Sequence, residues 1–298
     1  MATEHPRKAE DDAPLFRGDS GDGGGGRGKV LTIGAIVTLI GVFVVIHATR
    51  SEAPPKVEPT ASLRQAPKPL DVPEGTSVRV PGGSFAMGSE EGDPDEKPVS
   101  SITVAPFELD TTEVTVAAYA KCVAAGKCTP PDTGMYCNWK KAGREAHPIN
   151  CLDWAQANAY CTFAGKRLPT EPEWELAARG PEGRKYPWKE GPIAAQVCWN
   201  GEGNDQGRGQ RQGTCPVASY PAGASPVGAL DMLGNVWEWT ASPYCPYPSH
   251  ECQSDKRVIR GGAWNNLDPA YVRAADRAKE PVGARPDNVG VRCAKNPS

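Results

Sequence analysis

Two carboxylates on either side of a glycine turn form the first pattern in this sequence that could do chemistry. Residues 228–240 read GALDMLGNVWEWT, and Asp231 and Glu238 flank Gly234 and Asn235. A Gly-Asn pair favours a turn, which would bend both carboxylates and the backbone carbonyls between them toward one point. Ca²⁺ binds roughly six to eight oxygens of this kind at about 2.3–2.6 Å. In the alternative interpretation, the neighbouring tryptophans are core residues and Asp231 only caps a turn.

Cysteine is the other residue type in this sequence that could do chemistry, and its distribution indicates disulfides. All ten cysteines lie between Cys122 and Cys293, and their number is even. This pattern is typical of a domain that folds in an oxidising compartment. Zinc or two-histidine iron sites lack ligands, since the region has no Cys-x-x-Cys motif and only two histidines, His147 and His250. Because Cys128 closes a short loop with Cys122, we predict that these two pair.

The bulk composition describes a folded domain with appendages. The chain has 298 residues, a formal net charge of -3 and 39% hydrophobic residues, so it can build a sizeable core and has no charge that attracts nucleic acid. Its 33 glycines and 30 prolines indicate many turns, short elements and little regular helix.

The first 75 residues are predicted to carry a membrane anchor. Residues 1–29 are polar and glycine-rich and are predicted to be a disordered cytoplasmic tail. Residues 30–48 are nineteen mostly apolar residues without a charge, and at ~1.5 Å per residue they approach the ~30 Å core of a bilayer. A cleaved signal peptide is the alternative, although its apolar region is usually shorter. Residues 49–75 contain six prolines and are predicted to be a semi-rigid linker.

The orientation of this anchor follows from the cysteines. Arg27 and Lys29 before the span are balanced by Arg50 and Lys56 after it, so the positive-inside rule favours neither direction. All ten cysteines follow the span. We therefore expect the domain at 76–298 to be extracytoplasmic, either periplasmic or at the cell surface.

The start of the domain is predicted to contain strands and one short helix. Val78, Val80, Phe85 and Met87 flank a Gly-Gly pair, which predicts a β-hairpin. Alternating apolar residues then predict another strand near residue 104, followed by a helix from Thr115 to a stop at residue 126.

Residues 150–180 form the clearest helical stretch. Apolar residues at a spacing of three to four predict a helix that carries Trp154 and ends at Gly165. Thr170 and Glu173 form a capping box that starts a second helix, which ends at Gly180. The glutamates at 171, 173 and 175 are interpreted as caps or a solvated face. Residues 189–213 are predicted to be an irregular loop, with Cys198 and Cys215 as a candidate disulfide.

The motifs together resemble the formylglycine-generating enzymes, also called sulfatase-modifying factors. The matching segments run from residue 77 to residue 294, and they are PGGSFAMGS, FELDTTEVT, DWAQANAYCTFAGKRLPTEPEWELAARG, YPW, ALDMLGNVWEWT, RVIRGGAWNN and NVGVRCA. The resemblance implies a loop-rich, single α+β domain of the C-type-lectin-like fold, here behind an N-terminal transmembrane helix. It also implies a structural calcium site, with side-chain oxygens from Asp231 and Glu238 and backbone carbonyls from Gly234 and Val236.

The resemblance also indicates where this chain departs from its family. Family enzymes oxidise a cysteine of a sulfatase peptide with a Cu(I)-binding cysteine pair, and those two positions are Asn266 and Tyr271 here. An amide and a phenol do not replace two soft thiolates, so copper and the family's oxidation are not expected. A peptide groove could remain, and the residues that would line it are Arg260, Trp264, Asn265, Asn266 and Arg273. In the alternative interpretation, Trp264 is simply a core residue.

The expected disulfides leave no free thiol. The resemblance implies a bridge from Cys161 to Cys293, and we predict the remaining pairs as Cys122 with Cys128, Cys137 with Cys151, Cys198 with Cys215 and Cys245 with Cys252. The favoured function is a membrane-anchored, non-catalytic domain that binds an extracytoplasmic protein or peptide. The alternatives are an oxidoreductase of the family's kind with a different thiol arrangement, an enzyme of another class and a structural surface protein.

Overall fold

The computed structural model describes residues 68–249 and 252–297. The predicted tail at 1–29, the predicted span at 30–48 and most of the predicted linker at 49–75 lie outside these ranges. Within them, no helix combines the length and apolar character needed to cross a bilayer. The Leu70 amide donates to the Ala218 carbonyl at 3.0 Å. The end of the predicted linker therefore already contacts the domain.

The first four strands form one long antiparallel ribbon instead of the predicted hairpin. They are β1 (Ser77–Val80), β2 (Gly83–Met87), β3 (Ser100–Val104) and β4 (Phe107–Asp110). β1 pairs with β4 and β2 with β3 in one continuous register, since Val80 faces Phe107 and Gly83 faces Val104. The Gly-Gly pair is thus a break in the ribbon and no hairpin turn, because Pro81 and proline 106 cannot donate to a ladder.

A second, mixed sheet lies in the C-terminal half. Its strands are β5 (Trp237–Pro243), β6 (Lys256–Arg260), β7 (Arg277–Pro281) and β8 (Val289–Gly290). The order is β7-β6-β5-β8, with β8 parallel to β5 and the other pairs antiparallel. The short strand β9 (Ala294–Lys295) returns to pair with β4 of the first sheet.

The three predicted helices are present, and the first and third begin at the predicted residues Thr115 and Thr170. They are α1 (Val116–Ala124), α2 (Trp154–Phe163) and α3 (Glu171–Arg179). The Thr115 side chain accepts from the Ala118 amide, which caps α1. Thr170 accepts from the Glu173 amide at 3.3 Å, and the Glu173 carboxylate accepts from the Thr170 amide at 2.8 Å. This reciprocal pairing is the capping box that the sequence predicted.

Disulfides and buried tryptophans hold this loop-rich domain together. The structure contains the five pairs named above, with Cys161–Cys293 joining residues 132 apart. Trp174 and Trp239 are fully buried and belong to two separate apolar clusters. The predicted combination of short helices, short strands and irregular loops in one α+β domain is confirmed.

Candidate functional site

The segment 228–240 forms the tight turn that the sequence predicted. Asp231 and Asn235 adopt the left-handed conformation, with φ of 53° and 56°. Gly234 has a φ of 76°, and a side chain on it would begin 2.6 Å from the Cys198 carbonyl oxygen. Only glycine fits such a close approach. The turn leads directly into β5, which begins at Trp237.

The Glu238 carboxylate that follows this turn is bound to a buried arginine. Arg292 donates from Nε to both carboxylate oxygens at 2.9 Å and from Nη2 to Oε1 at 2.7 Å. The Trp174 indole donates to Oε2 at 2.7 Å. Both charged side chains are buried from solvent. Glu238 is therefore part of an ion pair that joins β5 to the C-terminal segment.

Two further carboxylates surround the same guanidinium. Asp231 accepts from the Ala218 amide at 2.6 Å, and burial raises the pKa of Asp231 to about 6. Glu113 accepts from the Asn235 amide group, and burial together with the charges of Asp231 and Glu238 raises the pKa of Glu113 well above its ordinary value. Three buried carboxylates thus share one arginine, so carboxylates outnumber basic groups at this site.

The charge of the carboxylates suits a cation at the predicted calcium site, whose predicted ligands are Asp231, Gly234, Val236 and Glu238. The surplus of carboxylates supplies hard oxygen donors with incomplete charge compensation. Arg292, however, already contacts both oxygens of Glu238. Calcium binding through Glu238 would require this arginine to move away. The calcium site remains a prediction.

The resemblance predicts that Asn266 and Tyr271 replace a copper-binding cysteine pair, and both side chains have other surroundings in the structure. The Asn266 amide oxygen accepts from the Ala263 backbone amide at 2.6 Å, which fixes its own loop. Tyr271 is 44% exposed and lies in the 3-10 turn Pro269–Val272. All ten cysteines of the chain are paired. No thiol is therefore available at this loop.

The residues predicted to line a peptide groove do not form one surface. Arg260 is completely buried, where it pairs with Glu175 and donates to the backbone carbonyls of the residues just before β7. Trp264 is 4% exposed and packs on Tyr136 with ring centroids 5.0 Å apart, so it is a core residue. Arg273 is partly buried and held by a carboxylate from another loop. The prediction that Arg260 and Trp264 line a groove is wrong, because both side chains are buried.

Asn265 and Asn266 are partly exposed, and they lie beside a cavity that is separate from the predicted groove. The Asn288 side chain donates to Asn265 at 3.3 Å. Residues directly after Asn266 form one wall of a cavity of about 1030 Å³. Its walls are mostly apolar with a charged rim, and they include Ile193, Trp199, Tyr220, Leu267, Pro269 and Glu202.

Of the glutamates of α3, Glu173 is the predicted cap, whereas Glu171 and Glu175 do not form the solvated face that was the other predicted role. Glu171 and Glu175 are buried, and Glu171 accepts two hydrogen bonds from Arg277, each 2.8 Å long. Glu175 bridges Arg260 and Arg179. These acids therefore neutralise arginines inside the domain, where an unpaired charge would be costly.

Comparison with known proteins identifies the family. The sulfatase-modifying factor enzyme 1-like domain family matches residues 63–297. The chain belongs to this family. The match begins inside the predicted linker at 49–75 and extends almost to the C-terminus.

Relatives in this family include both active and inactive proteins. The formylglycine-generating enzyme of Mycobacterium tuberculosis is 31% identical, over 74% of this chain and 97% of its own length. The inactive Cα-formylglycine-generating enzyme 2 of Bos taurus is also 31% identical, over 73% of this chain and 87% of its own length. The chain is equally identical to an active and an inactive relative, so these identities establish the family and do not distinguish an active from an inactive member.

Solved structures support the same fold. PvdO from Pseudomonas aeruginosa superposes with a TM-score of 0.60 at 28% identity, covering 74% of this chain and 94% of that protein. A variable protein of Treponema denticola reaches a TM-score of 0.59 at 18% identity, covering 74% of this chain and 95% of that protein, and this likeness concerns the fold alone.

Sequence reasoning missed the buried arginines and their partners. Arg292 lies inside the NVGVRCA segment and Glu113 inside FELDTTEVT, so both belonged to matched segments. Nothing local indicated that they meet, because they are far apart in sequence. The only available signal was the number of charged residues inside otherwise apolar motifs.

Proposed function

We propose that this chain is a non-catalytic member of the formylglycine-generating enzyme family that binds a polypeptide outside the membrane. The observation that carries the proposal is the state of the cysteines, because all ten are consumed in disulfides. Cu(I) needs soft sulfur ligands, and Asn266 and Tyr271 supply an amide and a phenol where the family has thiols. The existence of inactive mammalian relatives at 31% and 30% identity is consistent with this assignment.

The cavity beside Leu267 is our candidate for the polypeptide site. Apolar walls with a few charged groups at the rim are the usual composition of a site that accepts an apolar side chain. Leu267 is 42% exposed although it is a large hydrophobic residue. An extended peptide that inserts one apolar side chain between Ile193 and Leu267 would cover this surface.

Five disulfides also support an oxidising location for the domain. We propose that residues 30–48 anchor the chain and that residues 76–298 face the periplasm or the cell surface. Membrane fractionation and protease treatment of intact cells or spheroplasts test this topology. Digestion of the domain only after the inner membrane is permeabilised would contradict it.

The absence of catalysis is tested with a sulfatase-type cysteine peptide, copper and oxygen. Mass spectrometry should show no loss of mass corresponding to conversion of the thiol to an aldehyde. Thiol labelling of the denatured, non-reduced chain should find no free cysteine. Copper-dependent aldehyde formation, together with two or more reactive thiols, would support the alternative of an oxidoreductase with a changed thiol arrangement.

Binding is tested by cross-linking the full chain to extracytoplasmic proteins and by measuring the affinity of the captured peptide. Leu267→Asp should weaken that affinity at least about tenfold, since a charge would enter an apolar contact. Val282→Asp is the matched control, because Val282 is 39% exposed and lies away from this cavity. Equal affinity of both variants would place the partner elsewhere.

A further inference from the structure

Three acidic side chains from two distant loops meet beside the long ribbon. Asp93 and Glu96 lie in the connection between β2 and β3, and Asp276 directly precedes β7. One carboxylate oxygen from each residue lies within 4.8 Å of those of the other two. An ion with metal-to-oxygen distances of about 2.3–2.6 Å can contact oxygens that are up to about 5 Å apart. The spacing therefore suits a single cation.

Asp276 contains a buried oxygen that lacks a hydrogen bond. The residue is only 3% exposed, and among the described residues its Oδ2 atom has no hydrogen-bonding partner. Its closest basic group, Nη2 of Arg273, is 3.6 Å from Oδ1, which is too long for a hydrogen bond. A buried carboxylate oxygen is normally satisfied. A cation would supply the missing partner.

The charges around the cluster are unbalanced in the same direction. The Arg273 guanidinium donates two hydrogen bonds to the Glu96 carboxylate, at 2.6 and 2.9 Å. Arg260 is engaged by Glu175. Burial raises the pKa of Asp276 to about 7 in spite of both arginines, and the neighbouring carboxylates contribute to this rise. Three acids thus face one directly paired base.

We propose that Asp93, Glu96 and Asp276 bind one calcium ion that ties the β2–β3 connection to the start of β7, with Arg273 turning away from the Glu96 carboxylate as the ion binds. All three donors are hard oxygens, without the imidazole or thiolate ligands that favour zinc or copper. Calcium tolerates irregular carboxylate geometry better than magnesium does. No residue of this site belongs to the calcium position predicted in the segment 228–240.

The proposal is tested by the calcium stoichiometry and affinity of the full chain. The protein is stripped with a chelator, dialysed against calcium and analysed for bound metal, and each affinity is measured by titration. Asp276→Asn should remove one equivalent. Asp93→Asn, which changes an exposed side chain, should weaken one site about tenfold because it removes one ligand charge. Asp71→Asn is the control, since it changes an exposed aspartate outside the cluster.

A merely structural role of Asp276 gives a different result. If its carboxylate only fills space, Asp276→Asn will change the melting temperature by the same amount with calcium and with chelator. If it binds calcium, the melting temperature of the wild type will respond to chelator more than that of the variant. Wild-type stoichiometry and affinity in both Asp276→Asn and Asp93→Asn, or loss of all calcium only in Asp231→Asn, would overturn the proposal.

Discussion

Replacing Arg292 with methionine should strongly destabilise the domain. Arg292 is completely buried and is the ion-pair partner of Glu238. It also donates to the carbonyl oxygens of Asp110 at 3.0 Å and Leu230 at 2.8 Å. Methionine fills a similar volume and adapts to its surroundings. The loss should therefore come from the carboxylate and the carbonyls that remain buried without a partner.

The expected size of this effect follows from the burial of the pair. Removing one partner of a buried ion pair costs about 3–5 kcal/mol. For a domain of this size, 1 kcal/mol lowers the melting temperature by about 2–4 °C, so the expected decrease is about 6–20 °C. Glu113 and Asp231 add to the loss, because they are buried near the same guanidinium and would lose its compensating charge.

Thermal unfolding at neutral pH, with intact disulfides and chelator present, measures the change. Arg285→Met is the control, because Arg285 also pairs with two carboxylates, Asp132 and Asp153, but lies at the surface. Exposed pairs contribute within about 1 kcal/mol. If the Arg292 and Arg285 variants lose the same small stability, the buried pair is not the stabilising contact that its geometry implies.

Three other predictions concern pH, copper and calcium. Burial and the charge of Arg144 lower the pKa of His147 from 6.5 to about 4. Between these two pH values the unfolded state binds more protons than the folded state, so up to about 3 kcal/mol of stability should be lost as the pH falls from 6.5 to 4. His147→Gln should flatten that part of a profile of unfolding free energy against pH. The double change Asn266→Cys with Tyr271→Cys should bind one Cu(I) in a titration, whereas either single change should not; lack of binding by the double variant would contradict the alignment of this loop. If calcium binds in the segment 228–240, a concentration of about 100 times its dissociation constant adds about 2.7 kcal/mol of stability, and Asp231→Asn should abolish that part of the gain in melting temperature.

Features determined over a few neighbouring residues could be predicted from the sequence. The capping box at Thr170 and the stop of α2 at Gly165 depend on contacts within one or two helical turns. The bridge between Cys122 and Cys128 depends on a short loop. The family resemblance also predicted the bridge between Cys161 and Cys293, which are far apart in sequence.

Features that depend on contacts between distant segments were predicted less well. The Gly-Gly pair near residue 82 has the composition of a hairpin turn, yet the strands on both sides of it pair with residues 100–110. The family resemblance placed Arg260 in the predicted peptide groove. Arg260 is buried because Glu175, far away in sequence, faces it across the core.

The sequence by itself determined the family, the helix ends and the pairing of its cysteines. These properties follow from residue identity, from short-range geometry and from the resemblance to the family. Only the tertiary structure decided which charged residues are buried together, that Glu238 faces Arg292, and that Asp93, Glu96 and Asp276 meet. The physical reason is that burial and electrostatic compensation depend on which distant segments pack together, and local patterns do not specify that packing.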